Sequence, residues 1–328
     1  MPLKNFLFAF LFIAVVFFGS AVLAEEMNIY FKTTPRPELL RPFVDATDLS
    51  LLITGADGRP LKQGAVAIRL EAPHPGGVFS TDYPLVEGTV LSEMHLPLRQ
   101  GRANWKQLLP IRGEYRLTVH AVGGDGAKMS QVFTFNVREN QKKWLALAAL
   151  STGLFILGFI AGRIFTGAPA GAVMAVIGFE LFTGATGISN AQQGQPDRRG
   201  VLEVESATVG KPVLIRWKAV TIGDGGARAT LTLTVTHLEK QKVVFGVEKI
   251  AVDGEWSVKF HFFDGGEYRV AAAGNVPGLA PMRSEHVITV TGVEPPASPM
   301  TAVLIVFVAL IAVGLGIGRW SKRRSASI

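Results

Sequence analysis

The chain has 328 residues, 48% of them apolar and 18% charged, with 36 Gly, 18 Pro and no Cys. Lacking cysteine, it has no disulfide staples, iron–sulfur clusters or thiolate zinc sites, and its apolar content does not suit an extended disordered chain or a coiled coil. Of the net charge of +7, Lys4 contributes one and Arg319, Lys322, Arg323 and Arg324 contribute four, which leaves +2 elsewhere, so the basic balance signals membrane topology and excludes a nucleic-acid footprint.

In chain order, Lys4 precedes an apolar run from Phe6 to Phe18, followed by Gly19, Ser20 and the small-residue stretch AVLA. This order predicts a secretory signal peptide over residues 1–24, cut after Ala24, with an uncleaved anchor helix as the competing reading. Residues 25–141 and 195–293 read as β-structure. In ATLTLTVTHL, Leu231, Leu233 and Val235 alternate with threonines, and in EWSVKFHFF, Trp256, Val258, Phe260 and Phe262 share one parity. Turn signals separate such runs at Asp57-Gly58, GGDG (123–126), GDGG (223–226) and Asp253-Gly254. Short alternating strands with frequent turns predict antiparallel sandwiches.

Three apolar stretches lie between and after these segments: 144–162, 168–188 and 300–318. The first and last are each 19 residues long, enough at about 1.5 Å per residue to cross a hydrocarbon core of about 30 Å. The middle one is rich in Gly and Ala and carries Glu180. If all three cross, residues 25–143 and 190–299 lie outside and the basic tail 319–328 lies inside, as the positive-inside rule requires; with two crossings the tail would lie outside.

The two β segments repeat each other. GEYR at 113–116 returns at 266–269, each time with a methionine fourteen positions after the tyrosine, Met129 and Met282. GFIAGR (158–163) returns as GLGIGR (314–319), so sandwich and following helix read as one module present twice. Asp264, Gly266 and Tyr268 spell D-x-G-x-Y, and Gly113 with Tyr115 spells G-x-Y. The pattern resembles the corner of immunoglobulin-like domains, which implies that Tyr115 and Tyr268 are structural corner residues at the start of a late strand. Leu117 and Val270 stand where that family has cysteine. The fold class expected is therefore all-β ectodomains, two immunoglobulin-like antiparallel sandwiches, with three transmembrane helices.

Catalytic signatures are missing: no G-x-S-x-G, H-E-x-x-H or G-x-x-x-x-G-K-[ST] occurs. Imidazole and thioether groups in a Cys-free protein make copper the metal to test. Met94, His95, His120 and Met129 are the candidate ligands, against the reading that these histidines are solvent-facing or satisfied. By strand parity His120 and His261 point away from the core and His237 points in. The second β segment is similar to small periplasmic copper-handling domains. The plan of sandwich, helices, sandwich is similar to the periplasmic subunit of methane and ammonia monooxygenases, whose N-terminal histidine is replaced here by Glu25 at the expected mature start.

Glu180 would cost about 3 kcal/mol at mid-bilayer unless paired. It reads either as a contact with a partner helix or a proton-linked site, or as a carboxylate reaching water from a shifted span. Gly158/Gly162 and Gly314/Gly318 form G-x-x-x-G pairs that permit close helix approach, or are small residues inherited through repetition. The sequence thus predicts a bacterial inner-membrane protein with both β-domains in the periplasm and its C-terminus in the cytoplasm. Its expected partners are the lipid bilayer and another envelope protein or membrane complex. It is expected to act as a non-catalytic binding or assembly component without a cofactor, and the alternative is copper binding or delivery.

Overall fold

A computed structural model describes residues 27–44, 46–75, 81, 83–139, 141–165, 200–219, 228–278, 280–293 and 297–325. The expected signal peptide, the apolar stretch 168–188 with Glu180, and the GDGG turn lie outside the described residues. The fold is mostly β, built from two antiparallel seven-stranded sheets, with two long apolar helices.

The first half supplies β1 (Asn28–Thr34), β2 (Thr47–Thr54), β3 (Gly64–Glu71), β4 (Val90–Pro97), β5 (Arg102–Gln107), β6 (Gly113–Gly123) and β7 (Lys128–Val137), then helix α1 (Gln141–Ile164). The second supplies β8 (Gly200–Val204), β9 (Pro212–Ala219), β10 (Arg228–His237), β11 (Lys242–Asp253), β12 (Glu255–His261), β13 (Gly266–Asn275) and β14 (Met282–Val290), then α2 (Ala297–Ser325). Strand β10 coincides with the Leu/Thr alternation, and its leucines and Val235 are fully buried. The turns at Gly58, Gly126 and Gly254 all have positive φ, which the missing Cβ permits.

The halves do not close as two separate sandwiches. One sheet runs β1-β2-β5-β11-β10-β13-β14 and the other β7-β6-β3-β4-β12-β9-β8, so each contains strands of both halves. Exchanging β1–β7 for β8–β14 turns the first order into the second. The joints obey the same exchange. At one, Trp105 pairs with Val247 and Gln107 with Phe245. At the other, Val258 pairs with Met94 and Phe260 with Ser92. These are the same pairs with every number moved by 153 (105 to 258, 94 to 247). An ion pair crosses each joint, Lys106–Glu248 at 2.8 Å and Lys259–Glu93 at 3.6 Å.

Behind the joints lies one continuous core. Trp105, Met94, Phe245, Val247, Val258 and Phe260 all belong to it, together with the inward residues of both outer flanks. Alternating inward side chains from two facing sheets thus bury a shared layer, as aligned sandwiches do.

Both corners form. The Tyr115 hydroxyl donates to the Ile111 carbonyl at 2.7 Å and accepts from the Ile111 N–H at 3.1 Å. The Tyr268 hydroxyl donates to the Asp264 carbonyl at 3.0 Å. The preceding glycines carry φ of 119° at Gly113 and 130° at Gly266, a region closed to other residues. A Cβ at Gly113 would also sit 2.8 Å from the Cβ of Pro73. Leu117 and Val270, at the family's cysteine positions, are fully buried in the core. Tyr115→Phe removes both bonds to Ile111 and should cost about 1–3 kcal/mol, read from chemical denaturation. Tyr268→Phe, which loses a single bond at the looser corner, should cost less.

Candidate functional site: the helix-bearing end

Strand connectivity gathers one set of loops at the end from which both helices leave. Helix α1 follows β7 and α2 follows β14, and the register pairs Gly113 with Val137 and Gly266 with Val290. The corners Ile111–Tyr115 and Asp264–Tyr268, the β1–β2, β3–β4 and β8–β9 loops and the β10–β11 turn therefore share this end.

Here the second half clips onto the first. Phe43 stacks on Tyr83 at 5.5 Å, and Phe263 meets both rings edge-on at 5.4 and 5.6 Å. The Lys240 ammonium lies 4.6 Å from the centre of the Phe43 ring and pairs with Asp264. Lys242 donates to the carbonyls of Phe43 (2.8 Å) and Val44. Phe43 holds φ at +62°, a costly conformation for an aromatic residue that the rings of Tyr83 and Phe263 and the two lysines maintain.

Beneath this cluster His237 is fully buried against the Tyr268 ring, 4.5 Å between centroids, with Asp264 Oδ2 3.8 Å from its Nε2. Burial alone would raise the Asp264 carboxyl, but His237 and Lys240 outweigh it and hold it below its ordinary value. Burial pushes the Tyr83 hydroxyl up to about 12, with Asp264 adding to the effect. Burial likewise raises Tyr115 and Tyr268.

A phenol whose folded pKa exceeds its unfolded value near 10 stabilises the fold below pH 10 and loses that contribution above it. Stability should therefore fall as pH rises beyond about 10, and Tyr83→Phe should flatten that fall between pH 10 and about 12 in pH-dependent melting curves.

A cavity of about 530 Å³ opens beside the first corner, lined among others by His74, Arg112, Glu114, Arg138 and Glu139. Arg112 and Glu139 pair across it.

The helices form a seam with the same two-fold character. A Cβ on Gly158 would strike the Ile311 carbonyl oxygen, and one on Gly162 that of Leu315. Reciprocally, Gly314 faces the Phe155 carbonyl and Gly318 that of Phe159. Contact numbers rise together along both helices, so they run parallel, and all four glycines of the G-x-x-x-G pairs lie in the seam. Both helices are long and apolar enough to cross a membrane, over Trp144–Ile164 and Val303–Arg324 with mean hydropathy 2.1 and 2.3. The far end of the seam carries the cations: Arg319 reaches the Phe165 carbonyl at 3.3 Å and Lys322 the Arg163 carbonyl at 2.9 Å. Arg324 stacks 4.0 Å from the Trp320 ring, and Arg323 shares this last turn of α2.

The four metal candidates do not converge. Met94 is buried in the core and Met129 packs against it, whereas His95 and His120 are exposed on the opposite face. His95 and His120 do share a row there, each paired with Ala67. Among the described residues no three His, Cys, Asp or Glu side chains group as a metal would need.

The parity reading holds for His120 and His237 and fails for His261, which is only 3% exposed. β12 is an internal strand, and the start of β4 covers its end: His261 Nδ1 lies 3.2 Å from the Val90 carbonyl. Burial lowers its pKa, so its contribution to stability is present above about 6.5 and lost as pH falls below it. His261→Phe should flatten the loss of stability that sets in as pH falls below about 6.5. Sequence reasoning also passed over Phe43, Tyr83, Lys240 and Phe263, whose meeting depends on loops far apart in the chain. The run PRPELLRPF was the available signal, with apolar residues between prolines and arginines.

Neither a protein-family model nor a curated relative matches the chain. Solved structures with a similar course of chain include dimeric latent PorU from Porphyromonas gingivalis, at 11% identity and TM-score 0.26, over 82% of this chain and 24% of that one. A tetra-tandem repeat from the extending region of a large adhesion protein gives 12% and 0.22, over 80% and 50%. Native E. coli alpha-2-macroglobulin gives 14% and 0.24, over 80% and 14%. The chain thus spans between about a seventh and a half of these neighbours, and at such scores the likeness carries no argument about function.

Proposed function

We propose that the protein is a non-catalytic assembly or binding component of a bacterial envelope, anchored in the inner membrane with its double sandwich in the periplasm. The observation that carries this reading is the parallel glycine seam beneath a continuous pair of sheets. Both helices leave one end of the sandwich and run parallel. That arrangement supports a third crossing at 168–188 and a cytoplasmic basic tail. The matching strand orders, joints and glycine contacts support a duplicated immunoglobulin-like module. A rigid, two-fold platform suits presentation of surfaces to a partner more than turnover of a substrate. Copper binding would need Met94 and His95 on one face, and they occupy opposite ones.

Because the chain has no native cysteine, single cysteines report position directly. Pro277→Cys, in the turn before β14, should react with a membrane-impermeant maleimide in spheroplasts, and Ser325→Cys only after lysis; the reverse pattern overturns the topology. Photocrosslinkers on the outermost strands, at Tyr30, Val132 and Val201, are all exposed and should give a discrete adduct with an envelope protein. No adduct at any of the three would overturn the binding role.

A further inference from the structure

Leu39 is 64% exposed and Val44 45% exposed, in the loop joining β1 to β2. Large apolar side chains on a short turn are costly to leave in water, and this turn is held firmly. Pro37–Leu39 form a 3-10 turn that Arg41 closes by donating to the carbonyls of Glu38 and Leu40. The Leu40 carbonyl accepts from the Arg138 N–H at 3.2 Å, three residues before α1 begins at Gln141. Lys242 grips the carbonyls of Phe43 and Val44 from the other side. The loop is thus pinned beside the root of the first apolar helix, where Trp144 stands 53% exposed. Arg36 and Arg41 lie in the same loop and Arg138 is bonded to it at Leu40; Glu38 is the one described carboxylate of the loop, and among the described residues no carboxylate pairs with any of the three arginines.

We infer that this loop seats on the lipid headgroup layer: Leu39 and Val44 enter the interface while Arg36, Arg41 and Arg138 engage the phosphates of anionic phospholipids. The inference rests on the membrane-anchored reading above. Apolar tips on a loop with two arginines and a third bonded to it, near the tryptophan that begins a candidate span, match the chemistry of an anionic bilayer surface. The contact would set the tilt of the whole double sandwich, because the loop is bonded to strands of both halves.

The test uses the full chain in vesicles containing phosphatidylglycerol, with an environment-sensitive fluorophore on one cysteine at a time: Leu39→Cys, Ile156→Cys in α1, or Asp57→Cys at the far end. Leu39 should be blue-shifted and quenched by lipids brominated near the headgroup, Ile156 by lipids brominated deep in the chain, and Asp57 by neither. Adding Arg36→Glu and Arg41→Glu should reduce quenching at Leu39 by about half, since both cations that would engage the lipid phosphates are reversed. A quenched Ile156 with a solvent-like Leu39 overturns this inference and leaves the anchored reading standing. A Leu39 label that is blue-shifted but not quenched by lipid, being covered by protein, also overturns it. An unquenched Ile156 overturns the anchored reading itself.

Discussion

Replacing Phe260 by alanine should destabilise the double sandwich by about 3–5 kcal/mol, and should do so for both halves at once. Phe260 is fully buried, pairs with Ser92 of the first half, and packs 5.4 Å from Phe245 and 5.0 Å from Phe262 between ring centres. Its loss opens a cavity at the β4–β12 joint and beside Phe245 of the other joint, where the sheets change from one half's strands to the other's. Intrinsic tryptophan fluorescence divides the readout, since Trp105 lies in the first half and Trp217 in the second, both buried. With Trp105 or Trp217 kept as the sole tryptophan and the other four replaced by phenylalanine, each should report the same lowered midpoint. Two separated transitions would mean that the halves fold independently and that the joints contribute little. The same geometry predicts that residues 27–139 alone will not behave as a folded monomer, because β4 and β5 would be left with unpaired edges beside Trp105 and Met94.

The second large effect is expected in the seam. Gly158→Leu together with Gly314→Leu should separate α1 from α2. Each Cβ would fall on a carbonyl oxygen of the facing helix, Ile311 or Phe155, which no side-chain rearrangement relieves. Spin labels on cysteines at Ile164 and Trp320, both largely exposed, should broaden from a narrow short distance to a wide distribution. The cations of the tail would lose their carbonyl contacts at Arg163 and Phe165 at the same time. Gly153→Leu and Gly316→Leu are the matched controls, since nothing lies within 4 Å of either position. An unchanged distance in the Gly158/Gly314 variant would remove the seam from the account. Close backbone approach between small residues is what holds apolar helices together where lipid competes equally for their side chains.

The local chemistry of this fold was legible and its long-range pairing was not. The G-x-Y pattern marked a corner tyrosine in each half, and both hydroxyls bond the backbone four residues upstream. Alternation in ATLTLTVTHL named the buried face of β10, and the spacing of Gly158, Gly162, Gly314 and Gly318 named the face of each helix. Alternation, however, marks which face a residue occupies and not which strand lies beside it. That β5 would pair with β11, and β12 with β4, depended on edges more than a hundred residues apart. The crossing ion pairs of Lys106 and Lys259 are ordinary surface charges in sequence. His261 shows the same limit. Its parity pointed away from the core, but the start of β4 buries it. At the helix-bearing end, Lys240 and Phe43 meet through turns with no shared pattern, and Leu39 stood out only as an apolar residue among prolines and arginines.

The attachment of the helices decides how the molecule carries force. Each long helix continues an outermost strand, β7 on one sheet and β14 on the other. A pull along the helices is therefore taken up lengthwise along two long ladders, Gly113–Val122 against Lys128–Val137 and Gly266–Gly274 against Met282–Val290. Their hydrogen bonds lie across the strands and are loaded together in shear. The two joints, each with only three registered residue pairs, sit away from that line and are spared the load.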